Sequence, residues 1–377
     1  MRIAQIAPLF ESVPPCGYGG TERVVSYLTE ELVRQGHDVT LFASGDSRTK
    51  ARLIPCCPRA LRLHDGGCDA IALHFAMLER VVRRAGEFDI LHFHVDYLHY
   101  PFTARHRRPN VTTLHGRLNI PELIPLYREF PDMPVISISN AQREPLPQAN
   151  WQGTVYHGLP PDLHTYRPEP GNYLAFLGRV SQEKRVDRAI AIARRAGLPL
   201  KIAAKVDKAD QEYFATKIKP LLDGPGVEFI GEIGGAAKDE FLGQARALIF
   251  PIDWPEPFGL VVIEALACGT PVIAWRNGSV PELMSDGVTG SIVEDIDAAV
   301  RAVGRLDQIS RRRCRDVFEE RFTAARMAAQ YLEVYNRLTK GWPGTSAPSK
   351  YGPSTIRLPK AELPKAGTTT ERKRAPV

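Results

Sequence analysis

The stretch from Pro255 to Pro271 leaves the chain few folds to choose from. An apolar run, Ala247 to Phe250, precedes it and reads as a buried strand. Gly259 then opens a helix of good helix formers and Gly269 closes it. Pro271 to Trp275 is apolar again and reads as the next strand. The unit is strand, loop, helix, strand, with a free helix N-terminus at the end of a strand. Such a terminus offers unpaired backbone N–H groups and the positive end of a dipole to an anion.

Two glutamates lie in this unit. Glu256 sits in the loop before the helix, and Glu264 sits inside it among Val262, Ile263, Ala265 and Leu266. Glu264 lies roughly 7–8 Å along the helix axis from Gly259. A carboxylate on a mostly apolar helix needs a partner, because burying it alone is costly. A sugar diol is one such partner, since a carboxylate accepts two O–H bonds. Two acids serving a helix dipole is the alternative reading.

The setting, Glu256-Pro257-Phe258-Gly259-Leu260 and then Glu264 through Ile273 with seven residues between the glutamates, resembles the signature of the family-4 retaining glycosyltransferases. The resemblance covers residues 1 to about 338. It implies an α/β chain of GT-B architecture: two Rossmann-like domains whose parallel sheets face a central cleft. It also implies that Glu264 binds ribose hydroxyls and that Glu256 lies beside the donor sugar. The backbone amides of Phe258, Gly259 and Leu260 would serve the diphosphate and the sugar.

With 377 residues, two domains with separate cores are expected. The formal charge of +6 belongs mostly to the end of the chain. From Gly341 onward there are seven Lys/Arg and two Asp/Glu, leaving 42 against 41 for the rest, so nothing demands nucleic acid. Six cysteines without paired metal spacing read as free thiols in a reducing compartment. The chain enters a strand at Arg2 with no expected signal peptide, and no apolar run approaches about 18 residues. The expected location is the cytoplasm, in solution or at the inner face of the membrane.

The first half alternates strands and helices. Arg2 to Leu9 reads as a strand, a glycine turn follows, and Thr21 is the expected N-cap of a helix from Glu22 to Gln35. Val39 to Ala43, Phe88 to Val95, Asn110 to Leu114, Val135 to Ser139 and Thr154 to His157 read as strands. Ala70 to Arg84 reads as a helix with Ile71, Leu73, Phe75, Leu78, Val81 and Val82 as its apolar share. The glycine turn contains no G-x-G-x-x-G, and a tight turn is its plain reading. The resemblance makes Gly19 and Gly20 candidates to bring N–H groups to a donor phosphate. His92 and His94, two apart, face one side of their strand. A metal site there would need a third ligand that the sequence does not identify. The resemblance makes His94 and Asp96 acceptor-side candidates. His115-Gly116 follows a strand, where α/β sheets put ligands. By resemblance, His115 bonds a donor-sugar hydroxyl; otherwise it caps a turn.

Proline-rich segments around His157 to Gly171 mark a linker. Beyond it, Asn172 to Leu177 is a strand and Val186 to Ala196 a helix, with Arg179 and Lys184 around the turn. Two fixed cations there would neutralise a leaving diphosphate, as the resemblance implies; solvated surface charge is the alternative. The family usually has glycine after that lysine, and here Arg185 stands in its place. Further strands are expected at Leu200 to Ala204, Val227 to Ile233 and Gly290 to Val293, and helices at Ala209 to Leu222 and Ala237 to Ala245. Asp295 and Asp297 match a metal-binding D-x-D but read as acids at the start of a helix from Ala298 to Leu306. Thr323 to Leu338 is amphipathic, with Met327, Tyr331, Leu332 and Tyr335 as its apolar stripe.

The expected division is a first domain at 1–160, a linker at 161–171, a nucleotide-sugar domain at 172–322 and a helix at 323–340 crossing back to the first domain. A basic, proline-rich tail at 341–377 is expected to be disordered. Its scattered charges allow only weak attachment to an anionic membrane. The implied activity is retaining transfer of a sugar from a nucleoside-diphosphate donor to a hydroxyl acceptor (glycan, lipid or small molecule), with no metal and no cofactor. Rival readings are a nucleotide-sugar-binding protein without catalysis and an enzyme that hydrolyses or epimerises the donor. A dinucleotide-dependent oxidoreductase is a further rival, against which the missing G-x-G-x-x-G counts. Base, sugar, acceptor and oligomeric state are not encoded legibly. Acceptor contacts are expected from loops at Pro55 to Gly67 and Leu118 to Pro134.

Overall fold

Short apolar strands separated by helices or long connections have one common solution, a parallel sheet covered on both faces. The computed structural model, which describes residues 1–17, 19–63, 67–106 and 108–342, adopts it twice. In the first half β1 (Arg2–Ile6), β2 (Asp38–Ser44), β3 (Arg52–Cys57), β4 (Ile90–Phe93), β5 (Asn110–Thr113), β6 (Pro134–Ser137) and β7 (Asn150–Thr154) are ordered β3-β2-β1-β4-β5-β6-β7. In the second, β8 (Tyr173–Arg179), β9 (Leu200–Lys205), β10 (Val227–Gly231), β11 (Ala245–Phe250), β12 (Val272–Trp275) and β13 (Gly290–Val293) are ordered β10-β9-β8-β11-β12-β13. All these pairings are parallel. The two Rossmann-like sheets make the fold GT-B.

Alternation along the strands feeds both faces of the first sheet. Ile6, Phe42 and Phe93 pack with Leu78 and Val81, while Ile3, Val39 and Ile90 pack with Val24 and Leu28. The last helix, Ala324–Gly341, joins the latter cluster through Met327, Tyr331 and Tyr335, so it lies on the first sheet although it follows the second. Leu260, at the start of the helix Leu260–Ala267, packs against the cores of both halves.

Several local expectations are corrected. The first helix starts at Gly20, with Gly19 at its N-cap and no side-chain cap, so Thr21 is inside the helix. Leu78 and Val81 are buried as expected, but Ile71 and Phe75 face outward and His74 and Met77 are buried in their place. Pro55 to Cys57 belongs to the edge strand β3, where a proline is tolerated, and Leu61–Leu63 is a 3-10 turn. The segment's residues 64–66 lie outside the described residues. Leu123–Glu129 is a helix within the segment read as loop. The strand expected at Thr154 to His157 lies at Asn150–Thr154, a half-exposed edge strand without an apolar pattern. The helix Arg311–Arg321, capped by Ser310, has too polar a face to be legible and is held by Arg311 and Arg315 bonding to buried carbonyls. Asp295 does cap a helix, accepting from the Ala298 N–H, and Asp297 pairs with Arg195.

The tail from 343 onward, expected to be disordered, lies outside the described residues. Among the described residues no helix is long and apolar enough to cross a membrane.

Candidate active site

In an open α/β sheet, ligands bind beyond the carboxyl ends of the strands where the strand order reverses. Here the reversals fall between β1 and β4 and between β8 and β11. The carboxyl ends of those four strands and the turns into the next elements carry Gly19 and Gly20, His94 and Asp96, Arg179 and Lys184, and Glu256 to Leu260. Together with His115 after β5 and Glu264 in the following helix, all twelve sequence-predicted residues line one cavity of about 690 Å³ between the two sheets. That volume is in the range of small-molecule sites.

The second sheet supplies charge. Gly259 stands at the N-cap with φ 88°, a left-handed conformation that glycine adopts without strain, and the helix it opens has no side-chain cap. Its first N–H groups therefore stay available at the cavity wall. Glu256 accepts from the Trp254 indole at 2.9 Å and pairs with the Lys184 ammonium. Lys184 also lies 5.2 Å and 5.6 Å from the rings of Trp254 and Phe250, so it is held in a box of two rings and one carboxylate. Glu264, 5% exposed, pairs with Lys238. Burial alone would raise the Glu264 carboxyl, but the Lys238 charge and hydrogen bond hold it below its ordinary value. Arg179 faces Asp207 and Glu183, each at 3.5 Å.

Arg185 stands where the resemblance led to an expected glycine. It takes the left-handed conformation itself, φ 55° and ψ 53°. Its guanidinium bonds Asp187 and Asp253, both at 2.8 Å, so the extra cation is paired away from Lys184.

The first sheet supplies imidazoles. His94 Nδ1 lies 2.9 Å from His115 Nε2, and His94 Nε2 lies 2.8 Å from the Gln5 side-chain oxygen. His157 stacks on His115 at 5.3 Å between ring centroids, and Phe258 packs on His157 at 4.6 Å. Burial pushes His115 down to about 3, and burial with neighbouring imidazoles pushes His94 and His157 well below the ordinary histidine value. The histidine wall is thus uncharged at neutral pH. Asp96, at φ 49°, is exposed on the open cavity, and desolvation by the surrounding walls pushes its carboxyl up to about 6. His92 faces the same side as His94, but Tyr335 and Thr113 occupy both its nitrogens at 2.6 and 2.7 Å, which leaves none for a metal.

Gly17, Gly19 and Gly20 line the cavity from the first half and reach toward the second. A Cβ at Gly17 would lie 3.1 Å from Glu232, and one at Gly20 3.7 Å from Leu260. Sequence reasoning missed Lys238, Gln5 and His157. No local pattern marks them; each gains its place only through contacts far along the chain. Among the described residues His164, Asp239 and Cys268 bring three potential metal-ligand atoms within 4.8 Å of one another. Asp239 already accepts from the Thr165 N–H at 2.7 Å, and the Arg167 guanidinium lies 3.7 Å from its other oxygen.

Two family models match the chain: Glycosyltransferase Family 4 over residues 18–197 and Glycosyl transferases group 1 over residues 165–317. The chain is 27% identical over 190 residues to the alpha-maltose-1-phosphate synthase of Mycolicibacterium smegmatis, covering 44% of the chain and 48% of that protein, so the match spans about half of this relative. It is 24% identical over 429 aligned positions to the MMP alpha-(1->4)-mannosyltransferase of Mycolicibacterium hassiacum, covering 90% and 99%. Among solved structures, AviGT4, a glycosyltransferase involved in avilamycin A biosynthesis, superposes with a TM-score of 0.70 at 24% identity, covering 91% and 100%. Anabaena HepE, solved with UDP-glucose, gives 0.68 at 18%, covering 89% and 100%. At these identities the structures speak for the fold.

Proposed function

We propose a function from one premise: the chain belongs to glycosyltransferase family 4. It transfers a sugar from a nucleoside-diphosphate donor to a hydroxyl acceptor with retention at the anomeric carbon and without a metal. One observation carries the reading. Glu256, Glu264, Arg179, Lys184 and a neutral histidine wall converge on a single cavity that also receives an uncapped helix N-terminus.

Glu264, kept ionised by Lys238, accepts from the ribose hydroxyls. Glu256 lies beside the sugar. The amides of Phe258, Gly259 and Leu260, together with those of Gly19 and Gly20, face the diphosphate and the sugar. His115 bonds a sugar hydroxyl, and His94 and Asp96 stand on the acceptor side. Arg179 and Lys184 carry the catalytic charge work, stabilising the diphosphate as it leaves. Lys184 is balanced by Glu256, and the incoming diphosphate takes over that ion pair. The acceptor attacks the face the diphosphate leaves, and the leaving phosphate oxygen receives the acceptor's proton, so no enzymatic nucleophile is required. The nucleotide-sugar reading is in line with HepE, which was solved with UDP-glucose. Nucleotide sugars and free thiols both suit a cytoplasmic location.

A thermal-shift panel of UDP, GDP, ADP and TDP, with chelator and with added divalent metal, tests the donor half of this reading. One nucleotide at about 100 times its dissociation constant should add roughly 2.7 kcal/mol of stability whether or not metal is present. Indifference to all four would remove the donor site. A shift that requires metal would remove the metal-free mechanism.

A further inference from the structure

We propose that Gln5, deep in β1, is a positioning residue that fixes the proton of His115 on Nε2 and so makes His115 Nδ1 an acceptor for a hydroxyl of the bound sugar. Only the last step rests on the sugar-transfer reading above.

Gln5 is fully buried and its amide spans two partners. Its oxygen lies 2.8 Å from His94 Nε2, and its nitrogen donates to the Tyr335 hydroxyl at 3.2 Å. An amide oxygen only accepts, so His94 carries its proton on Nε2. A neutral imidazole has one proton, which leaves His94 Nδ1 as a lone pair. His115 Nε2, 2.9 Å away, must then donate to it. His115 is neutral as well, so its Nδ1 is bare. That nitrogen is buried without a hydrogen-bond partner, in a residue that lines the cavity.

The other arm of Gln5 runs into the last helix. Tyr335, having accepted from the amide, donates to His92 Nδ1 at 2.6 Å. His92 Nε2 donates to Thr113 at 2.7 Å, and Thr113 to Tyr331 at 2.9 Å. Every bond points the same way. Turning over the one amide reverses the chain and puts a proton on His115 Nδ1. A bare Nδ1 only accepts, so it takes a donating hydroxyl and rejects a phosphate or carboxylate oxygen, whereas a protonated one would take any of them. The orientation of Gln5 therefore selects the class of group that sits at the end of the chain. The same tautomer logic makes a misplaced imidazole proton costly in hydrolases.

The test has two arms. In ligand-free protein labelled with ¹⁵N-histidine, long-range ¹⁵N–¹H spectra, assigned with His115→Ala, should show His115 Nδ1 as the unprotonated nitrogen. They should also show Nε2 as the protonated one, coupled across its hydrogen bond to His94. A protonated Nδ1 overturns the proposal whatever the activity. In the second arm, Gln5→Met should lower nucleoside-diphosphate release from UDP-glucose, GDP-mannose or ADP-glucose in the presence of acceptor, by roughly tenfold in kcat. Affinity for the free nucleoside diphosphate should be unchanged. Gln5→Glu, whose carboxylate again accepts from His94, should restore most of the rate. An equal loss of nucleotide affinity in Gln5→Met, or an unchanged His115 tautomer there, also overturns it. If the wild type transfers no sugar, the reading of function fails while the tautomer arm still decides the role of Gln5.

Discussion

The two walls of the cavity treat polarity differently. On the second sheet's side Lys184 is paired with Glu256 and Lys238 with Glu264, with little side-chain exposure in either pair. On the first sheet's side His94, His115 and His157 are held neutral, chiefly by burial, and are tied to one another and to Gln5 by hydrogen bonds and ring contacts. Each lysine on this wall is balanced by a carboxylate of the protein, so neither charge is buried alone. A neutral imidazole chain offers direction rather than charge, which suits sugar hydroxyls. The division matches the two demands of the proposed reaction: one wall for the group that leaves, the other for the group that is positioned.

Removing charge from the second wall should have the largest effect. Arg179→Ala and Lys184→Ala should each cost roughly 10²–10³-fold in turnover, read as nucleoside-diphosphate release. The decline with added salt should also flatten. An effect no larger than that of His94→Ala would erase the distinction between the walls.

Next come the buried pairs. Lys238→Ala leaves Glu264 unpartnered and should cost about 3–5 kcal/mol in urea denaturation. Lys238→Met with Glu264→Leu should recover most of that stability. It should not recover nucleotide affinity, which a lost charge-assisted bond lowers by about 1.5–3 kcal/mol in calorimetry. Recovery of both would reduce Glu264 to a structural ion pair.

Asp96 gives a smaller, pH-dependent effect. Its folded value of about 6 stands above the ordinary 3.8, so the fold favours the protonated form. That stabilisation is complete below the ordinary value and is lost as pH rises toward the folded value. Asp96→Asn should therefore raise the Tm at about pH 7 and leave it nearly unchanged at about pH 3.5. If the ionised carboxylate serves the acceptor, turnover in the wild type should rise through about pH 6, and the variant should lose that rise.

Arg185→Gly should matter least. It relieves a left-handed residue, worth about 1–2 kcal/mol. It also gives up two partly exposed ion pairs and adds freedom to the unfolded chain, so the net change in stability should stay within about 1 kcal/mol. A large loss of turnover would assign Arg185 to the site after all.

Much of the second wall was legible because it is local. Glu256, Gly259 and Glu264 fall in one strand-loop-helix unit whose apolar pattern and bounding glycines fix its geometry. Arg179 and Lys184 follow a strand in the same way. The first wall is assembled from β1, β4, β5 and the last helix, with Gln5 and Tyr335 separated by 330 residues. A single sequence carries no ruler for such contacts, so His94 and His115 were legible only as histidines at strand ends, and Gln5 not at all. Lys238 was invisible for a related reason: a lysine in a polar helix looks solvated until the helix is placed against Glu264. The edge strand β3 and the helix Arg311–Arg321 escaped, and β7 was expected a few residues too late, because their sequences lack the apolar periodicity that marks buried elements.

The most direct test of the central claim is the stereochemistry of the product. The protein, in chelator, would be incubated with UDP-glucose, GDP-mannose and ADP-glucose and a panel of mono- and disaccharide acceptors, and the new anomeric proton read by NMR. The account predicts that one of these α-linked donors yields an α-glycoside and one equivalent of nucleoside diphosphate. A β-glycoside, or turnover that appears only when metal is restored, would contradict it.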